Sequence, residues 1–275
     1  MTLLTPTRIR ELLRVHGLAP SRRLGQNFVV DPNVVRKVVR DAGVRPGEEV
    51  VEVGPGLGSL TLALREAGAR VQAVEVDAGL VRALTEVVGD DPEVRVVHAD
   101  ALAVDWRELV EDRPAMVANL PYNVATPVVI RALESGVFDR LLVMVQREVG
   151  ERWAAGPGSE RYGAVSVKVA ALARATVVAR VPRGAFWPVP NVDSITVRLE
   201  PHPWDRDVSR GAIFRLVEAG FAQRRKRLRN ALAAPGRDHA AVEAALVAAG
   251  LDPGARAEEL GLDQWVELTR ELTPE

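Results

Sequence analysis

The chain has 275 residues, enough for one large α/β domain and a small second one, and its 47% hydrophobic and 27% charged residues are those of a soluble globular protein. It has no cysteine, which excludes disulfides, thiolate metal sites and a cysteine nucleophile, and no apolar run nears the ~20 residues of a membrane span. A net charge of −1 argues against a uniformly basic nucleic-acid binder, and the N-terminus lacks the basic-then-apolar layout of a signal peptide, so a cytoplasmic setting is expected.

In chain order, Thr5 as N-cap, Pro6 at the first helical position and Ile9, Leu12 and Leu13 on one face predict a helix over 5–16, ended by Gly17. Residues 21–28 form a polar, basic loop; residues 1–30 carry five Arg against one Glu. Asp31 and Pro32 then open a helix with Val34, Val35, Val38 and Val39 on one face, closed by Gly43. Val50–Val53 reads as a strand, Gly54-Pro55-Gly56-Leu57-Gly58-Ser59 as a glycine-rich turn, and Leu60–Ala67 as the helix that follows. The next strand, Val71–Val76, delivers Glu75, 21 residues after Gly54, where an acid commonly bonds a ribose diol.

A helix from about Gly79 to Val88 leads to the strand Val94–His98. Asp100 follows it, either to accept from an adenine amino group or to cap the next turn. Met116–Ala118 looks like the end of a buried strand, and Asn119-Leu120-Pro121-Tyr122 lies at its C-terminal edge, where open α/β sheets bind ligands. Pro121 keeps Leu120 out of helical geometry, so this loop offers an amide, a carbonyl outside any helix ladder and a ring able to stack on a planar base. The bland alternative is an ordinary strand-to-helix loop.

Thr126 and Pro127 start a helix ending near Gly136, Leu141–Val145 is a further strand, and Gln146–Ala155 a helix. Gly156-Pro157-Gly158-Ser159 reads as a flexible lid. Ser166–Arg174 is helical, and Ala175–Val181 and Ser194–Leu199 are strands. Between those strands the proline-stiffened loop Phe186–Ser194 either projects an aromatic ring or uses Phe186 and Trp187 to cap the core. After Pro201-His202-Pro203 the chain is expected to be all-helical, over Ile213–Ala222, Gln223–Ala234, Ala240–Ala249 and Leu262–Leu272. Residues 224–229 read Arg-Arg-Lys-Arg-Leu-Arg with no nearby acid to compensate them: a solvated helix face or, as we favour, a phosphate contact.

Alternating strands and helices up to residue 146, then two consecutive strands, predict a Rossmann-like methyltransferase sheet, mostly parallel with one antiparallel edge strand, plus a small all-helical C-terminal domain. The turn Gly54-x-Gly56-x-Gly58 lacks the Gly-x-Gly-x-x-Gly spacing of a dinucleotide site, where pyrophosphate sits on a helix N-terminus. S-adenosylmethionine has no phosphate and needs only close backbone approach. The chemistry expected is therefore methyl transfer to an exocyclic amine. The Asn119 side-chain oxygen and the Leu120 carbonyl would accept from an adenine N6–H, Tyr122 would stack on one face of the base, and Phe186 would take the other.

With these residues in place, the chain resembles the ribosomal RNA adenine N6,N6-dimethyltransferases, in particular the bacterial small-subunit type. The matching segments run nearly end to end: Gly25–Phe28, Glu52–Gly58, Glu75–Asp77, Asp100-Ala101, Asn119–Asn123, Gln146–Val149, Tyr162-Gly163, Phe186–Ser194 and Phe221–Asn230. The last three, in combination, are specific. Val29 stands where Leu is commoner, Ala118 where Gly often precedes the Asn, and Asn191 where Lys is frequent. The resemblance implies that Gln26, Asn27 and Val29 line the cofactor site, that Gly54 and Gly56 approach the methionine end of S-adenosylmethionine, that Glu75 bonds the ribose, that Asp100 and Ala101 hold the adenine, and that Asn119 borders both cofactor and target.

It further implies dimethylation of two adjacent adenines in the 3′-terminal hairpin loop of small-subunit (16S) rRNA, on the assembling 30S particle. Candidate RNA contacts are Arg22, Arg23, Arg224, Arg225, Lys226, Arg227 and Arg229. Residues 1–200 are expected to form the cofactor-binding domain with its N-terminal extension, and 204–275 a helical RNA-binding domain. A monomer without a metal site or membrane contact is expected. The rivals are a large-subunit rRNA methyltransferase of the resistance type, a non-catalytic assembly factor on the same fold, and a nicotinamide dehydrogenase.

Overall fold

The computed structural model describes residues 2–20, 26–121, 123–233 and 238–273. Its strands are β1 (Phe28–Val29), β2 (Glu49–Val53), β3 (Arg70–Glu75), β4 (Val94–His98), β5 (Ala115–Asn119), β6 (Arg140–Gln146), β7 (Ala173–Val181), β8 (Phe186–Trp187) and β9 (Ser194–Pro201). Its helices are α1 (Pro6–Val15), α2 (Pro32–Ala42), α3 (Ser59–Glu66), α4 (Ala78–Val88), α5 (Trp106–Leu109), α6 (Ala125–Ser135), α7 (Arg147–Trp153), α8 (Ala164–Leu172), α9 (Arg210–Ala222), α10 (Leu228–Ala231), α11 (His239–Ala248) and α12 (Leu262–Leu272).

Local chemistry sets the helix ends. Thr5 accepts from Arg8 N at 3.3 Å and Pro6 opens α1, which buries Ile9, Leu12 and Leu13. Asp31 caps α2 by accepting from Asn33 N at 2.8 Å, and Gly43 ends it in the left-handed conformation. Asp77 caps α4 with bonds of 2.8 and 3.1 Å from Gly79 N and Leu80 N.

Seven strands form one sheet in the order β4-β3-β2-β5-β6-β9-β7. β4 through β6 in that order run parallel, and β9 is antiparallel to β6, with Leu141 opposite Leu199 and Gln146 opposite Ser194. The antiparallel partner therefore lies one strand inside the edge, which β7 occupies. Val50, Val51, Met116 and Val117, and all of Leu141–Val145, are buried, the near-continuous apolar runs of a sheet covered on both faces. From β2 the chain builds outward to β3 and β4 on one side, and later to β5 and β6 on the other. This reversal opens a crevice at the C-terminal ends of β2 and β5.

The chain divides into two compact units, Met1–Gly150 with Ala175–Pro201, and Glu151–Arg174 with His202–Glu275. A break does fall near residue 200, but the expected extent of the first domain is corrected: Glu151–Arg174 belongs with the C-terminal helices. Tyr162 and Val167 are buried in the same apolar cluster as Ile213, Val217 and Trp265, and the Tyr162 hydroxyl donates to the Leu260 carbonyl at 2.7 Å. A composition shift marks one crossing between units, whereas the chain crosses more than once. The supposed lid at 156–159 is tied inside this second unit, with Gly158 N donating to the Glu258 carbonyl at 2.8 Å.

The helix expected over Gln223–Ala234 is also corrected. α9 stops at Ala222, and Lys226 N closes a turn onto the Gln223 carbonyl at 2.7 Å. Arg227 bridges antiparallel to Arg256, Leu228 N donates to the Ala255 carbonyl at 2.8 Å, and only then does the short α10 begin. Fully buried Leu228 anchors the segment while residues 224–227 stay exposed. Nor are they uncompensated: Arg224 Nε meets Glu258 at 2.6 Å and Arg229 meets Glu243 at 3.6 Å.

Candidate active site

At the crevice between β2 and β5, within the first unit, lies a cavity of about 310 Å³. Gln26, Asn27, Val29, Gly54, Gly56, Glu75, Asp100, Ala101 and Asn119 all line it. Leu120 and Pro121 do so too, while Arg22, Arg23 and Tyr122 fall outside the described residues.

The glycine turn forms one wall. Gly56 has φ 59°, and a Cβ there would sit 3.1 Å from the Phe28 ring; at Gly58, with φ 91°, it would sit 2.7 Å from Leu84. The turn is fixed to Glu75, whose Oε2 accepts from Gly56 N at 3.1 Å and whose Oε1 accepts from Val76 N and Asp77 N at 3.0 Å each. Burial nevertheless pushes the Glu75 carboxyl above the usual carboxylate range, against the pull of those three N–H groups. Asp100 caps the next turn, its Oδ1 accepting from Leu102 N at 2.8 Å, and the residue also lines the cavity.

Asn119 ends β5 where the first unit's N-terminal segment crosses it. Its Nδ2 donates to the Asn27 carbonyl at 3.2 Å. Only the nitrogen end can bond a carbonyl, so the contact fixes the amide's orientation and leaves Oδ1 as an acceptor. Leu120 N is held by the Met144 carbonyl at 3.1 Å, and the helical turn begins at the Pro121 carbonyl, which accepts from Val124 N and Ala125 N. Among the described residues nothing donates to the Leu120 carbonyl.

Phe186 departs from expectation. It is 2% exposed, pairs with Val29 in the two-stranded β1–β8 ribbon, belongs to the core, and does not line the cavity. The core alternative describes it: the Phe186 ring is packed in the core and is not presented to the cavity. The ribbon itself escapes sequence reading, since two-residue strands carry no period to detect. Sequence reasoning also missed Glu52, Val76 and Leu102 as lining residues. Glu52 does leave a signal, an acid in an otherwise valine-rich strand ahead of the glycine turn. Val76 and Leu102 are apolar residues left exposed at the cavity, which only the fold reveals.

Glu52 is 1% exposed, and its Oε2 accepts from the Thr61 hydroxyl at 2.6 Å. Burial, with a smaller push from the Glu75 charge, moves its carboxyl up to about 8 despite the Thr61 bond. The lining therefore holds three acids, Glu52, Glu75 and Asp100, and among the described residues no Lys, Arg or His. That donor set disfavours a pyrophosphate and suits a cationic nucleoside. Close backbone at Gly54 and Gly56, an acid for a diol and exposed apolar side chains for a base complete the fit.

The profile of the ribosomal RNA adenine dimethylase family matches residues 19–273. The ribosomal RNA small subunit methyltransferase A of Leifsonia xyli subsp. xyli is 54% identical over 282 residues, covering 98% of each chain. That of Streptomyces coelicolor is 49% identical over 276 residues, covering 97% of this chain and 96% of the relative. Among solved structures, the 23S rRNA methyltransferase ErmE superposes with a TM-score of 0.68 at 28% identity, over 90% of this chain and 99% of that one.

Proposed function

Because the chain belongs to the ribosomal RNA adenine dimethylase family, we propose that it dimethylates the N6 of two adjacent adenines in the 3′-terminal hairpin loop of small-subunit rRNA, on the assembling particle. The observation that carries this reading is the fixed Asn119 amide at the cavity, with Nδ2 spent on Asn27 and Oδ1 left to accept.

S-adenosylmethionine, when bound, supplies a methyl group activated by a positively charged sulfur. Gly54 and Gly56 would approach its amino-acid end, Glu75 its ribose hydroxyls, and Asp100 with Ala101 its adenine. Adenine N6 is a poor nucleophile because its lone pair is delocalised into the ring. Asn119 Oδ1 and the Leu120 carbonyl, accepting from the two N6–H bonds, favour a pyramidal nitrogen whose lone pair is available. Both acceptors are set by the backbone of β5 and its turn, so little reorganisation accompanies reaction. Once alkylated, the nitrogen is strongly acidic and its proton leaves without a dedicated base. Tyr122 is assigned to stacking on its place in the motif alone. An adenine must leave its stack to reach such a site, at a cost of a few kcal/mol.

Similarity to a 23S rRNA methyltransferase structure supports a second reading, modification of the large subunit. The small-subunit relatives are far more similar, at 54% and 49% against 28% identity. The test is to incubate the protein with labelled cofactor and small subunits from a strain lacking the modification, and to read the bases by mass spectrometry. Dimethyladenosine on small-subunit rRNA is expected. Methylation of the large subunit alone, or no incorporation, defeats the reading.

A further inference from the structure

Glu52 has no part in the reaction described above, yet it occupies the wall of the cavity. Glu75, on the neighbouring strand β3, is held by three backbone N–H groups, and Asp100 is exposed. Glu52 is buried with Thr61 for its neutral partner and no ion pair among the described residues. The titratable groups sharing the cavity are Glu75 from β3 and Asp100 from the loop after β4. α3 presents Thr61 and Ser59, β5 presents Asn119, and the N-terminal segment presents Gln26 and Asn27, all neutral. Nothing in the described lining balances a negative charge at Glu52, so its carboxylate form needs a positive charge that arrives with the ligand, and without one the neutral acid is favoured.

Resting on the cofactor assignment above, we propose that Glu52 reads the charge of the ligand: it holds a proton when no cation fills the cavity and releases it to solvent when the cationic cofactor enters. One O–H bond of Glu52 breaks per cofactor bound, and the carboxylate left behind faces a ligand of net charge +1. The demethylated product, a thioether, keeps the same ammonium and carboxylate but has lost the sulfonium charge. Glu52 takes its proton back in the presence of product, and the cavity thereby prefers cofactor to product. The raised proton affinity of the buried carboxyl agrees with this cycle.

Calorimetric titration of the full chain with S-adenosylmethionine or S-adenosylhomocysteine, near pH 7 in two buffers of different ionisation enthalpy, counts the protons. Release approaching one proton is expected for the first ligand and close to none for the second. Glu52→Gln, which keeps an acceptor for Thr61, should abolish the release and weaken S-adenosylmethionine about tenfold while leaving S-adenosylhomocysteine within about twofold. Equal proton counts for the two ligands, or release that survives in Glu52→Gln, overturn the proposal. If that variant does not fold, the two-ligand count on the unaltered protein decides. Thr61→Val adds a second arm, because losing the hydroxyl should carry proton release to higher pH. Binding of neither ligand overturns instead the cofactor assignment, a separate and distinguishable failure.

Discussion

Glu52 and Glu75 lie behind the glycine turn almost out of contact with water, whereas Arg225, Lys226 and Arg227 stand exposed on a turn of the helical unit. Both regions gather ionisable groups of one kind, acids in the cavity and cations on the turn. In the cavity Glu52 and Glu75 are each fixed by named partners and desolvated, so a change of charge at either has a large and local effect. On the basic turn the charges are solvated, screened and interchangeable, so each contributes a little to a summed field. Single substitutions should therefore be decisive in one region and graded in the other.

The largest expected effect is at Asn119. Replacing it with Ala removes the acceptor that faces N6 and leaves the Asn27 carbonyl without its donor. Methyl incorporation should fall at least about 100-fold, well beyond the smaller loss of cofactor affinity that follows from freeing the Asn27 carbonyl. Near-normal incorporation would remove Asn119 from the reaction and with it the contrast between the two regions. Next is Gly58→Ala. Left-handed backbone costs a residue with Cβ about 1–2 kcal/mol, and the added carbon must displace Leu84, so a total loss of about 2–3 kcal/mol is expected in urea denaturation. An unchanged midpoint would show that the turn is looser than its geometry indicates.

These two positions also show what a linear sequence can and cannot disclose. The glycine turn, Glu75 and Asn119 were legible because each sits at the end of a strand with a clear apolar run, and the fold then brings those ends together. Caps such as Thr5 and Asp31 were legible for the same reason, since the bond spans two or three residues. Phe186 was misjudged because its burial depends on pairing with Val29, far away in sequence. The basic run was misread as an uncompensated helix because Glu258 and Glu243, which meet Arg224 and Arg229, arrive from distant segments. The division into units failed at Glu151–Arg174 because the chain enters the helical unit before the composition changes.

A smaller effect sharpens the cavity side. The Glu52 carboxyl stands at about 8 in the folded protein against its ordinary value of 4.5. Between those values the folded state binds more protons than the unfolded one, so stability is greatest below the window and declines as pH rises through it. One proton gives a slope of at most about 1.4 kcal/mol per pH unit. Melting of the ligand-free protein should show this decline, and Glu52→Gln should reduce it. Some slope should remain in that variant, since Glu75 is shifted in the same direction. A slope that is flat, or of opposite sign, would mean that Glu52 is ionised in the folded protein.

The smallest single effects belong to the basic turn, and their ranking tests whether its charges are really interchangeable. Arg225, Lys226 and Arg227 make no ion pair among the described residues, so Gln at any one of them should weaken binding to small-subunit rRNA by about two- to fivefold at moderate salt. Each should also lower the slope of log affinity against log salt by roughly 0.7–0.9. Arg224 already shares its charge with Glu258 at 2.6 Å, so Arg224→Gln should cost less, and Glu258→Gln should release Arg224 and strengthen binding slightly. Filter binding across a salt series, with cofactor affinity measured in parallel as the unaffected control, separates these outcomes. If one of the three unpaired cations accounts for most of the loss while the salt slope stays fixed, the turn works through a specific contact, and its likeness to the cavity is closer than its exposure suggests.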